Sequence, residues 1–228
     1  MFTGFPQETL EFFLDLRFHN NKLYFEENRA RYEEYVKAPF HAFINALAPV
    51  VRQIDPLMEV RPYKCLARIH RDTRFSRDKS PFRDHLWLCF RRAAEPKEGS
   101  VNFFFEMGVN TLSWGCGTWG ENKAMNEILR RRMEASPKGV SGILSSVDFA
   151  GHDLTVYTNP YKRMAIPANI PEHLKPWYAM RECYVGKAKT DMAWVFTPEL
   201  VDRVAADFRA MAPLYHLLRG AYDQAEQP

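Results

Sequence analysis

The chain has 228 residues, of which 46% are hydrophobic and 26% are charged, and its formal net charge is +3. This composition excludes the collagen-like and intrinsically disordered classes and supplies enough apolar residues for a large core. We predict a single domain over residues 1–228. No run approaches the roughly 18 to 20 apolar residues that a membrane helix needs, and the N-terminus does not resemble a signal peptide. We therefore expect a cytoplasmic protein without a membrane partner.

Helical spacing of apolar residues predicts three helices near the N-terminus. The first helix begins near Pro6 and ends before Asn20-Asn21. The second covers residues 24–36. The third covers residues 40–54, where Pro49 should kink the helix or end it early. The residues expected to face inward from the first helix are Leu10, Phe13 and Leu14.

The middle of the chain changes to a period of two, which indicates strands. Apolar runs at residues 86–90 and 101–105, separated by a polar loop with Pro and Gly, predict an antiparallel hairpin. A further strand at residues 111–114, a glycine turn at 115–117 and a helix at 123–133 follow. A strand is also predicted just before the hairpin, with inward side chains from Tyr63, Cys65, Ala67 and Ile69.

The last third predicts short strands and a long closing helix. The helix has Thr197 as N-cap and Pro198 in its first turn, and its apolar spacing continues to Leu218. The other elements are strands at 153–157, 182–185 and 193–196 and a short helix at 174–179. The predicted fold class is therefore α+β, with a mainly antiparallel sheet packed against N-terminal helices and a long C-terminal helix.

Cysteines and histidines give no metal motif. The four cysteines lie far apart without C-x-x-C spacing, so we predict reduced thiols. The seven histidines include no i, i+4 pair that would form a zinc site on a helix. Only His70 and His85, which flank the most basic segment, are candidates for acid–base chemistry. The sequence predicts no metal site and identifies no cofactor.

The positive charge is concentrated in residues 68–84, here called the basic segment. Outside it, basic and acidic residues are equal in number. Inside it, three acidic residues alternate with six basic residues, namely Arg68, Arg71, Arg74, Arg77, Lys79 and Arg83. Guanidinium groups are planar double donors that match carboxylate and phosphate oxygens, so the pattern favours an anionic ligand.

The basic segment resembles the signature of a widespread microbial family, domain of unknown function 2461. The matching residues are Arg68, Arg71, Asp72, Arg74, Phe75, Asp78 and Lys79. Phe82 stands where the family usually has Tyr, which removes a hydroxyl group. The likeness extends over nearly the whole chain, since Asn20-Asn21 with Tyr24-Phe25 and the helix ending in Pro213-Leu214 are also similar to the family pattern. The resemblance implies no particular activity.

Two hypotheses for the basic segment follow from these residues. In the first, the segment forms an anion-binding pocket for a phosphate or carboxylate ligand, in a binding protein or in an enzyme. Its cations would be Arg68, Arg71, Arg74 and Lys79, with Asp72 and Asn21 orienting them. In the second, Asp72 and Asp78 neutralise the cations in an internal salt-bridge network, and the protein is a non-catalytic interaction domain.

Nucleic acid is the alternative ligand. The basic segment and the nearby Phe75, Phe82 and Trp87 have the composition that follows a phosphate backbone and stacks on bases, although the aromatic residues also fit a core. A metal-dependent nuclease would need Asp72, Asp78, Lys79 and Glu106 around one cation, a spacing that matches no nuclease motif. The sequence does not indicate an oligomeric state.

Overall fold

The computed structural model describes residues 1–74, 77–189 and 192–227. The α-helices are α1 Gln7–Phe18, α2 Lys22–Glu27, α3 Arg29–Arg31, α4 Ala38–Ile54, α5 Pro62–Cys65, α6 Lys123–Ala135, α7 Pro137–Ser145, α8 Lys175–Tyr178, α9 Glu199–Ala210 and α10 Ala212–Ala225. The strands are β1 His85–Phe90, β2 Val101–Gly108, β3 Thr111–Thr118, β4 Thr155–Pro160 and β5 Met180–Lys189. A π-helix covers Tyr32–Lys37, and 3-10 helices cover Glu172–Leu174 and Ala193–Phe196.

The strands form one five-stranded antiparallel sheet in the order β1-β2-β3-β5-β4. The register of β4 on β5 pairs Thr155 with Gly186 and Asn159 with Glu182. The sheet and the helices at both ends of the chain confirm the predicted α+β class. No helix of the described ranges is long and apolar enough to cross a membrane.

The chain divides into two compact units. Unit 1 comprises Met1–Phe90, Phe104–Trp114 and Ala188–Ala206. Unit 2 comprises Arg91–Phe103, Gly115–Lys187 and Asp207–Pro228. The single domain over residues 1–228 stays a prediction.

The core of unit 1 is rich in phenylalanine. The ring of Phe5 lies 4.9 Å from that of Phe40, and the ring of Phe43 lies 4.6 Å from that of Phe105 on β2. All four side chains are almost fully buried. Aromatic rings bury more apolar area than any other side chains, and tilted pairs add a favourable electrostatic contribution. The N-terminal helices are therefore fixed to the sheet by this cluster.

A proline explains the irregular helix that precedes α4. Pro39 has no backbone N–H, so the carbonyl of Tyr35 four residues earlier loses its helical partner. The buried hydroxyl of Thr9 on α1 donates to this carbonyl. The π-helix lies at this position, and α1 supplies the hydrogen bond that the helix cannot make for itself.

Several predicted boundaries were wrong for identifiable reasons. Pro49 does not end α4 early, and the helix reaches the predicted end at Ile54, because buried residues on both sides of Pro49 hold it in place. The closing helix is interrupted at Met211, since Pro213 in the first turn of α10 cannot continue α9. The predicted strand at 193–196 is a 3-10 helix. Leu14 of α1 is 40% exposed rather than inward.

The predicted strand at 63–69 and the predicted turn at 115–117 were also wrong. Pro62 begins a short helix instead, so that the strand is reduced to isolated bridges at Leu66 and His70. Residues 115–117 continue β3. A side chain at Gly117 would come within 2.3 Å of the Cys183 carbonyl oxygen, so this glycine permits the close approach of β5.

Candidate anion-binding site

The basic segment belongs to unit 1 and folds back on itself in a short antiparallel ladder. His70 lies opposite Phe82. On either side of this rung, the N–H of Arg71 donates to the Pro81 carbonyl at 2.8 Å and the N–H of Arg83 donates to the Ile69 carbonyl at 2.9 Å. Residues 72–74 and 77–80 belong to the loop between the two sides.

Asn20, rather than Asn21, holds this ladder. Its side-chain amide donates to the Phe82 carbonyl at 2.9 Å, and its side-chain oxygen accepts from the Phe82 N–H at 3.0 Å. Asn21 instead caps α2, where it accepts from the N–H of Tyr24 at 2.9 Å. Of the Asn-Asn pair, Asn20 therefore contacts the basic segment, whereas the role predicted for Asn21 in the site stays a prediction. An N-cap is the common role for an asparagine directly before a helix, and this signal could have separated the two.

Phe82 is part of the core. Its ring stacks on Phe25 with centroids 4.2 Å apart and an interplanar angle of 16°. It is 2% exposed. A phenol at this position would need a buried hydrogen-bond partner for its hydroxyl group, whereas phenylalanine needs none.

Two arginines of the predicted site are ion-paired with carboxylates of the same loop. Arg71 pairs with Asp78. Arg74 makes two hydrogen bonds to Asp72, at 2.7 and 3.0 Å, with side chains that are 76% and 55% exposed respectively. The hydrogen bonds from Arg74 lower the pKa of Asp72 to about 2. Both pairs lie at the surface, where such pairs add little to stability.

The pKa of Asp78 is also lowered. Hydrogen bonds from Ser80 are the largest cause, and the charge of Arg71 contributes as well. Asp78 Oδ1 accepts from the Ser80 N–H at 2.9 Å. The carboxylate therefore shapes the loop backbone and neutralises Arg71 at the same time.

Arg83, which the prediction did not include in the site, lies beside Arg71. In the ladder Arg71 is opposite Pro81, so Arg83 is its diagonal neighbour on the same face. The Arg83 guanidinium donates to the Arg68 carbonyl at 2.8 Å and to the His70 carbonyl, and it lies 4.7 Å from the Trp87 ring. Burial lowers the pKa of Arg83, and the positive charge of Arg71 lowers it further.

Arg68 and Lys79 are placed differently from the paired arginines. Lys79 donates to the Thr73 carbonyl at 2.8 Å. Arg68 is exposed and its side chain makes no polar contact with any described residue. Since Ile69 is buried between the exposed Arg68 and His70, Arg68 projects from the ladder face opposite to Ile69 and Arg71. Phe75, a residue of the family signature, lies outside the described residues.

His85 and Glu106 lie at the edge of this region. Asp84 accepts from Arg17 at 2.7 Å and lies 3.1 Å from Nδ1 of His85, while Nε2 of His85 is 3.9 Å from Glu106. Burial opposes ionisation of Asp84, but the hydrogen bonds from His85 and Arg17 outweigh it and lower its pKa. Glu106 thus faces His85, whereas Asp72 and Asp78 face arginines. Among the described residues no group of three or more His, Cys, Asp or Glu side chains is arranged to hold a metal ion.

A cavity of about 450 Å³ lies elsewhere in unit 1. It is lined by residues 1–6 and by side chains that include Glu34, Pro39 and Phe196. None of the residues that line it belongs to the basic segment.

Unit 2 contains two charged clusters that the sequence did not indicate. In the first, Asp207 of α9 is almost fully buried and lies 2.7 Å from Nδ1 of His152 and 2.9 Å from the Lys187 ammonium. His152 is followed by Asp153, whose φ of 51° is in the left-handed region. These residues are separated by as many as 55 positions, so no local pattern reveals them.

The second cluster centres on Arg219 of α10. Its side chain is 4% exposed and pairs with Glu95 at 2.6 Å and with Asp223 at 2.8 Å. Arg92 also pairs with Asp223, at 3.1 Å. Burial raises the pKa of Glu95 despite the arginine, because Glu95 Oε2 is buried without a hydrogen-bond partner.

The sequence of the chain matches a known protein family. Residues 8–217 match the family described as "Conserved hypothetical protein (DUF2461)". The chain belongs to the DUF2461 family. The match confirms the resemblance drawn from the basic segment, and it covers both units of the structure. No curated protein matches this DUF2461 chain.

Proposed function

We propose that the basic segment of unit 1 binds a phosphate or carboxylate group through Arg71 and Arg83. The observation that supports this most directly is the position of the two guanidinium groups on one face of the ladder, close enough for the charge of Arg71 to lower the pKa of Arg83. Two like charges held together favour an anion between them.

The geometry around Arg83 restricts its movement. Its hydrogen bonds to the carbonyls of Arg68 and His70 and its stacking on Trp87 hold the guanidinium in one orientation. A donor fixed before the ligand arrives loses less conformational freedom on binding than a mobile one. Arg83 therefore supplies the fixed half of the site and Arg71 the adjustable half.

The ion pair with Asp78 does not prevent a ligand from reaching Arg71. Asp78 is an exposed carboxylate, and exposed pairs are weak because water solvates both partners. An entering phosphate, with more charge and more acceptor oxygens than a single carboxylate, can replace Asp78 on Arg71. In this proposal Asp78 is paired with Arg71 until the ligand binds and takes its place.

A structural role for the segment is the second candidate. It is favoured by the pairing of Arg74 with Asp72 and by the bonds from Asp78 and Lys79 to the loop backbone. On this view the charges fix the loop and bind nothing. The protein is then a non-catalytic interaction domain.

Ligand-dependent unfolding separates the two candidates. Calorimetric titration and thermal unfolding with inorganic phosphate and with citrate should give binding and a higher melting temperature, since a ligand at ten times its Kd stabilises by about 1.4 kcal/mol. Arg71→Gln and Arg83→Gln should each abolish the effect. Arg131→Gln, which removes an exposed paired arginine from α6, is the matched control and should preserve it.

The structural candidate predicts a different result. The melting temperature of the wild type would then not respond to either anion, and Arg71→Gln and Arg83→Gln would lower it without any ligand. That outcome would end the proposal of an anion site.

A further inference from the structure

We infer that the anion belongs to a single-stranded nucleic acid, which follows the exposed edge of unit 1 and stacks bases on Tyr63 and Phe18. This inference rests on the proposed function, because Arg71 and Arg83 would hold one phosphate of the strand. It adds the class of ligand and two contact residues outside the basic segment.

Tyr63 is the first observation. The short helix α5 presents its ring to solvent with 63% of its surface exposed, although large apolar side chains are usually covered. Two cations lie beside the ring, with the Arg61 guanidinium 5.7 Å and the Lys64 ammonium 5.8 Å from its centroid. Glu59 pairs with Arg61, whereas Lys64 has no carboxylate partner among the described residues. A flat ring flanked by cations suits a base and its phosphate.

Phe18 provides a second exposed ring at the other end of the ladder. It is the last residue of α1 and is 73% exposed. It lies two residues before Asn20, whose side chain binds the backbone of Phe82 directly opposite His70. Tyr63, by contrast, lies three residues before Leu66, where the ladder meets Leu88 of β1. Along the chain, the two rings therefore lie next to residues that hold opposite ends of the ladder.

Cations lie on the ladder and on its loop. Arg68, Arg77 and Lys79 are exposed and make no ion pair with any described residue. Arg68 projects from one face of the ladder and Arg71 from the other. The two bridged residues, Leu66 and His70, lie four positions apart on this segment, with a bend at Ile69 between them.

This layout suits a single strand better than a small ligand or a duplex. The cations are distributed along an edge rather than concentrated around one point, which favours a polymer of phosphates. Bases must be unpaired to stack on protein rings, so the exposed aromatics select single strands. An acidic peptide would use the cations but would supply no planar rings for Tyr63 and Phe18.

Fluorescence anisotropy with a labelled oligothymidylate of about twelve nucleotides is the direct test. The wild type should bind at low salt and weaken steeply as salt is added, with a log–log slope of about −2 to −3 for three or four phosphate contacts. Tyr63→Leu and Phe18→Leu should each reduce affinity by about fivefold or more, because each removes one stacking platform. Trp119→Leu, which removes an exposed aromatic residue of unit 2, is the matched control and should change nothing.

The binding results distinguish failure of this inference from failure of the proposed anion site. Binding of inorganic phosphate without binding of the oligonucleotide would overturn the inference and leave the anion site intact. Absence of both would overturn both. Two further outcomes would indicate that the ligand is a general polyanion and would also reject the inference. One is equal binding of polyglutamate, and the other is oligonucleotide binding that is unchanged in Tyr63→Leu and Phe18→Leu. Both variants alter exposed side chains, so their unfolding curves should match that of the wild type.

Discussion

Arginine–carboxylate pairs occur in both units, but their surroundings give them opposite roles. In the basic segment of unit 1, Arg74 and Asp72 are largely exposed and water solvates both charges. In unit 2, Arg219 is 4% exposed and Glu95 is 12% exposed. A charge buried to this degree is tolerated only while its partner is present. An arginine in an exposed pair can therefore exchange its carboxylate for a ligand, whereas the buried pair contributes only to the stability of the fold.

The pKa values of the carboxylates express the same contrast. Hydrogen bonds from Arg74 lower the pKa of Asp72 to about 2. Burial raises the pKa of Glu95, although the Arg219–Glu95 distance of 2.6 Å is no longer than the Arg74–Asp72 distance of 2.7 Å. Desolvation dominates at Glu95, and hydrogen bonding dominates at Asp72.

The largest expected effect comes from removing Arg219. Arg219→Met leaves Glu95 buried without its main counter-charge and should lower the free energy of unfolding by about 3 kcal/mol. Arg131→Met, which removes an exposed paired arginine, is the control and should have little effect. Urea denaturation of both variants measures the difference, and similar midpoints would contradict the contrast.

A double replacement sharpens this test. Arg219→Met with Glu95→Leu removes both buried charges and should recover most of the lost stability. The reason is that the loss in Arg219→Met alone comes from the buried Glu95 charge, which no longer has its partner. A double variant as unstable as Arg219→Met alone would show that packing, rather than charge, accounts for the loss.

A smaller loss is expected at Asp207. Asp207→Asn removes the charge that faces Lys187 and His152 and should lower the free energy of unfolding by about 2 kcal/mol, the range for hydrogen bonds to charged groups. Asp202→Asn, at an exposed position of the same helix, should be neutral. Denaturant midpoints of the two variants provide the comparison.

The pH dependence of stability should have opposite signs for the two carboxylates. Because the pKa of Glu95 is raised in the folded state, the native protein binds its proton more tightly, and stability decreases as pH rises above about 4.5 through the folded-state value. The pKa of Asp72 is lowered to about 2, so its contribution is present above pH 4 and is lost as pH falls towards 2. Glu95→Gln should flatten the first slope in unfolding measured from pH 4 to 8.

The smallest effect is expected in the loop. Arg74→Ala and Asp72→Ala should lower the denaturant midpoint only slightly near neutral pH, because both side chains are exposed and water screens the pair. Arg29→Ala, which breaks an exposed pair between Arg29 of α3 and Glu26 of α2, is a suitable reference. A clear loss of stability in the loop variants alone would favour the structural role for the basic segment.

Much of the fold could be predicted because its elements depend on local patterns. The α+β class, the hairpin of β1 and β2 and the N-terminal helices follow from periodicity and turn residues. The errors arose where a proline or a tertiary contact overrides the pattern, as at Pro62, Pro213 and Gly117. These positions depend on backbone groups and neighbouring strands that apolar spacing does not encode.

The candidate site was less predictable than the fold. Its segment was identified from charge and family likeness, and neutralisation of its cations by Asp72 and Asp78 was one of the two hypotheses. Which arginine pairs with which carboxylate was not predicted, and nothing local indicates that Arg83 stacks on Trp87. Asn20 reaches Phe82 across 62 positions of sequence. The cluster around Asp207 could not have been found, because its members come from separate elements.

The hydrogen bond from Thr9 to Tyr35 has a practical consequence for engineering this protein. The hydroxyl group satisfies a carbonyl that Pro39 leaves without a helical donor, and Phe2 and Phe5 are buried close by in sequence. Truncation of the first nine residues would thus expose apolar rings and leave a main-chain oxygen unsatisfied. Shortened versions that aim at better crystals should keep this N-terminal segment and, if required, remove residues from the exposed C-terminal end instead.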